Sequence, residues 1–107
     1  INTLPTPWPC FVVAVRDEFL ESNEGDVKEI LDIINNTTTE FKNIPSIDKT
    51  IANRYGQKLE DVQEWLSLTE WSQKVLDENA VQKIQDELLE INIITKRKPY
   101  NQIVKKL

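Results

Sequence analysis

Histidine and methionine are absent from this 107-residue chain, cysteine occurs once and glycine only twice. Without histidine the chain lacks the commonest general base and the commonest metal ligand. A single cysteine excludes an internal disulfide. Cys10 has no histidine partner, so a Cys-His nucleophile is excluded within the chain. With only Gly25 and Gly56 there is no glycine-rich phosphate loop, and no Cys/His spacing suits a metal. No apolar run approaches the ~20 residues of a membrane span. Positive charge is also short: 13 Lys and Arg stand against 18 Asp and Glu, a net charge of -5. Nucleic acid is therefore not expected as a partner, because phosphate binding needs a basic patch. The one basic cluster, Lys96-Arg97-Lys98 with Lys105-Lys106, reads as a solvated tail. The acidic pairs Asp17/Glu18, Glu60/Asp61 and Asp86/Glu87 are sequence neighbours, which point apart on a helix. No catalytic residues, metal site or cofactor are expected. Ile1 in place of an initiator methionine reads as a fragment or a processed product, with no signal peptide in view.

What the chain does have is one good strand candidate. Phe11 to Val15 is an apolar run of an aromatic, three valines and an alanine. That pattern fits a strand covered on both faces. It is approached through Pro5, Pro7 and Pro9, which fix φ and lack a donor, so residues 1–10 read as a stiff crossing or hinge segment. A single strand cannot satisfy its own backbone. Residues 11–107 therefore read as one strand followed by about five helices, part of a larger α/β fold.

The helical patterns follow in order. Arg16 to Glu21 forms a turn, and Asn23 is a candidate N-cap with Glu24 and Asp26 in the first turn behind it. Val27, Ile30, Leu31, Ile34 and Phe41 continue that helix through Thr39. Ser46 is expected to cap a helix with Ile47, Ile51, Ala52 and Tyr55 inward, ended by Gly56 in a left-handed conformation. The next helix runs from about Leu59 to Leu68, and Trp65 and Trp71 mark a packed corner. A helix from near Asp77 uses Val81, Ile84, Leu88 and Ile91 and stops at Asn92. Tyr100 to Leu107 is expected to form the last one.

The candidate ligand-binding residues are Thr6, Trp8 and Cys10. An indole held between two prolines forms one wall of a cleft, with Thr6 and the backbone near Cys10 as polar contacts. The alternative is that Trp8 plugs the end of a core.

The stretch Pro7–Asn23 resembles the return strand of ABC-transporter-type substrate-binding proteins. Ile51-Ala52-Asn53-Arg54-Tyr55-Gly56, Val62-Gln63-Glu64-Trp65-Leu66 and Thr69-Glu70-Trp71-Ser72 extend the likeness over nearly the whole chain. The nearest branch is the nitrate/sulfonate/taurine and thiamine-pyrimidine-precursor group. The resemblance implies a type II periplasmic-binding-protein fold, with two α/β lobes closing by a hinge on a small-molecule ligand. This chain then supplies a C-terminal portion, with its strand at about 11–15. Its partners are the ligand, the missing N-terminal lobe of its own chain and an ABC transporter permease. Family analogy places it in the periplasm or anchored outside the cytoplasm, with the cytoplasm as the alternative. An isolated fragment is expected to self-associate. A pyrimidine-precursor-synthase-like enzyme of the same fold and a free-standing helical protein–protein interaction domain are the rival functions.

Overall fold

The computed structural model describes residues 6–107. Four α-helices carry the chain: α1 (Asp17–Glu40), α2 (Ile47–Tyr55), α3 (Leu59–Leu68) and α4 (Glu78–Glu90). Single 3-10 turns occur at Phe41–Asn43 and Tyr100–Gln102. Among the described residues there is no strand, so the α/β expectation is overturned. Phe11 to Val15 is irregular, and Phe11 is 95% exposed. None of its backbone groups is hydrogen-bonded to another described residue. The physical reason is that β-propensity expresses fit to a pleated, partnered surface. Among the described residues no second strand is there to pair with the run.

The chain divides into two compact units, residues 25–73 and residues 1–24 with 74–107. In the first, the later half of α1 ends in Asn and Thr residues of low propensity. Thr38 and Thr39 donate their hydroxyls back to Ile34 O and Asn35 O at 2.9 and 2.8 Å, and the helix reaches Glu40, one residue beyond the expected end. Ser46 does not cap α2 with its side chain. It is itself left-handed (φ 58°), and its carbonyl accepts from Thr50 N at 3.0 Å. Gly56 is left-handed (φ 62°), and Gln57 N–H returns to Ala52 O at 3.0 Å, closing the helix end. α2 packs on α3. Val27, Ala52 and Val62 are the buried residues here. Trp71 meets Phe41 and Trp65 edge-on, with ring centroids 5.1 and 6.0 Å away. The two tryptophans meet as expected, but Trp65, expected to be buried, is 45% exposed.

In the second unit, Asp77 caps α4 by accepting from Ala80 N at 2.9 Å. Asn92, left-handed at φ 60°, ends it. The Gln85 side chain then grips the backbone of Lys98 at both ends, accepting from its N–H (2.7 Å) and donating to its carbonyl (3.2 Å). Arg97 Nε donates to Asp86 Oδ1 at 2.6 Å, and Tyr100 OH donates to Leu76 O at 2.5 Å. These bonds hold the basic loop along α4. The helix expected over Tyr100–Leu107 shrinks to one 3-10 turn. Its apolar residues, Ile103, Val104 and Leu107, are too few to drive a longer one. Leu20 and Val81 are the buried residues of this unit.

Candidate functional site

Thr6, Trp8 and Cys10 lie on an irregular segment bent at Pro7, Trp8 and Cys10. Pro7 and Pro9 fix their own φ, and each disfavours the helical region for the residue before it, Thr6 and Trp8. Thr6 Oγ1 and Cys10 Sγ lie 2.8 Å apart, so the segment closes on itself across four residues. Trp8 is half-buried while Thr6 and Cys10 are exposed. The three residues are thus brought onto one short loop. The loop offers a hydroxyl, a thiol and an indole face, a set that can contact a small ligand but holds no base to activate a nucleophile.

The groups at a second location were not legible as a site in the sequence. An open groove of about 430 Å³ in the 25–73 unit is lined by Lys42, Ser46, Asp48, Gln63 and Leu66, among others. Gln63 Nε2 donates to Asp48 Oδ2 and Lys49 N–H donates to Asp48 Oδ1, both at 2.8 Å. These bonds, that from Gln63 foremost, lower the pKa of Asp48 below the ordinary aspartate value. Lys42 Nζ is occupied by Glu70 Oε1 at 3.3 Å. The two charged side chains of the groove are therefore each already engaged, Asp48 by N–H donors and Lys42 by Glu70, and its wide mouth admits water. Sequence reasoning missed it because Asp48 and Gln63 are fifteen positions apart and only the packing of α2 on α3 pairs them.

The lowered pKa fixes a sign. Asp48 stabilises the fold above its unfolded pKa, and that contribution is lost as pH falls through the lower folded value. Gln63→Leu is expected to raise the Asp48 pKa toward the ordinary value. A carboxylate titration followed by NMR checks this, and an unmoved midpoint rules Gln63 out as the cause.

Among the described residues no three His, Cys, Asp or Glu side chains are grouped to hold a metal ion. No helix among them is long and apolar enough to cross a membrane. Comparison with known proteins finds no family model, no curated protein and no solved structure that matches the chain.

Proposed function

We propose that this chain is a non-enzymatic part of a small-molecule-binding protein of the ABC-transport type, with Thr6, Trp8 and Cys10 at the ligand. The resemblance carried by Pro7–Ser72 supplies the class. The exposed apolar surface is the observation that supports a chain made to be covered by further polypeptide. Phe11, Val12 and Val13 are 95%, 62% and 54% exposed directly after Cys10. A larger protein covering this run also encloses the Thr6–Cys10 loop beside it, and the half-buried Trp8 then forms one wall of an enclosed site.

Trp8→Ala tests this in the protein as it is isolated from its cell. The expected result is at least a tenfold loss of affinity for a bound solute, sulfonates and pyrimidines being the first probes, with an unchanged melting temperature. A Trp8→Ala protein that binds normally removes Trp8 from the site.

One observation favours a second reading, a helical protein–protein interaction domain. Every regular element among the described residues is helical, and Tyr55 and Leu68 are both 64% exposed. That reading requires Phe11–Val15 to be covered by the chain's own helices, and their exposure counts against it.

A further inference from the structure

We propose that Ser22–Gly25 is a hinge within α1, at which the helix exchanges between a bent and a continuous form. This inference is independent of any ligand. Asn23 has φ −138° and ψ 31°, outside the helical region, with helical turns on either side. Its side-chain Nδ2 donates to Phe19 O at 2.9 Å, four residues back. That carbonyl is the one a continuous helix pairs with the backbone N–H of residue 23. The carboxamide thus satisfies the acceptor whether or not the backbone N–H does, which lowers the cost of breaking the ladder there.

Two further features weaken the same turn. Gly25 disfavours helix, and no packing demands it: a Cβ built there meets nothing within 4 Å. Residues 17–26 carry five carboxylates (Asp17, Glu18, Glu21, Glu24 and Asp26) and no basic residue. Glu18, Glu21 and Glu24 are spaced three apart, where like charges repel along a helix.

Burial shows where the helix is held. Leu20 is 8% exposed and Val27 is 5% exposed, while none of the six residues between them is buried. Each half is anchored by its own apolar residue and the link between them by none. The boundary between the two compact units falls at the same place, between Glu24 and Gly25.

Spin labels at Glu18→Cys and Asp32→Cys, both exposed positions, in a Cys10→Ser background of the whole chain, read the hinge directly. A continuous helix separates those two Cα atoms by about 21 Å. The parent is expected to show two distance populations, one near that value and one shorter. Asn23→Ala with Gly25→Ala removes the alternative donor to Phe19 O and adds a strong helix former where there is room for it. It is expected to shift the balance toward the longer population about fivefold or more. Amide exchange gives a second readout that needs no variant: Glu24 to Asp26 should exchange faster than the turns that hold Leu20 and Val27. A single narrow distance in the parent overturns the hinge. So does a distribution that the double variant leaves unchanged, or equal exchange along the whole of α1.

Discussion

Val62→Asp is expected to abolish cooperative unfolding of the 25–73 unit. Val62 is 4% exposed on the inner face of α3, and only Val27 and Ala52 share its burial in that unit. A carboxylate there is taken out of water at the most buried position of α3. Burying an unpaired charge, or opening the helices to hydrate it, costs about 3 kcal/mol or more. A unit with three buried residues has little stability to lose. The near-ultraviolet circular dichroism of the packed Trp65, Trp71 and Phe41 rings provides the readout, because their edge-on contacts depend on α3 holding its place. Leu68→Asp is the control: Leu68 is 64% exposed, and its change should stay within about 0.5 kcal/mol. If Val62→Asp melts like Leu68→Asp, the packing of α2 on α3 is not what holds this unit together.

The contrast between Val62 and Phe11 explains how far the sequence could be read. α3 was legible to the residue because Val62, Trp65 and Leu66 repeat at helical spacing and helix hydrogen bonds close locally. Gly56 and Asp77 were legible for the same reason, since the end of α2 and the start of α4 are settled by bonds to residues three to five positions away. The strand expected at Phe11–Val15 failed because a strand is completed only by a partner, and composition does not reveal whether one exists. Ser46 shows a milder form of the problem. Its residue type suits an N-cap, but the turn from Phe41 to Pro45 brings the chain in with a left-handed Ser46, and the hydroxyl makes no cap bond. Of the candidate site, the placing of Thr6, Trp8 and Cys10 on one short segment was legible, but the prolines argued for an extended crossing and the closure of Thr6 on Cys10 was not anticipated. The pairing of Asp48 with Gln63 could not, because it follows from how two helices pack. The break at Asn23 was readable as a helix start. That the helix resumes directly on both sides of it was not.

Val13→Lys is expected to convert a self-associating chain into a monomer. Cys10 to Val15 is six uncharged residues, rich in β-branched side chains and free of proline, bounded by Pro9 on one side and Arg16 on the other. Such a segment pairs readily with its own kind when exposed. Phe11, Val12 and Val13 are all exposed, and their backbone groups are not paired with any described residue. Water satisfies those groups in the monomer, so the gain on association comes mainly from covering the apolar side chains. A lysine at the centre of the run places a positive charge in each copy. Like charges then meet across any antiparallel pairing centred on Val13, where the residue faces itself. Sedimentation velocity over a hundredfold range of concentration should show the parent growing in mass and Val13→Lys remaining monomeric, a shift of at least tenfold in the association constant. Ile33→Lys, at a 60% exposed position on α1, should associate like the parent. A parent that stays monomeric at every concentration, or a Val13→Lys chain that associates equally well, would mean that Phe11–Val15 is not the sticky surface. The support that its exposure gives to a covering polypeptide, and with it to an enclosed site at Trp8, would then fall away.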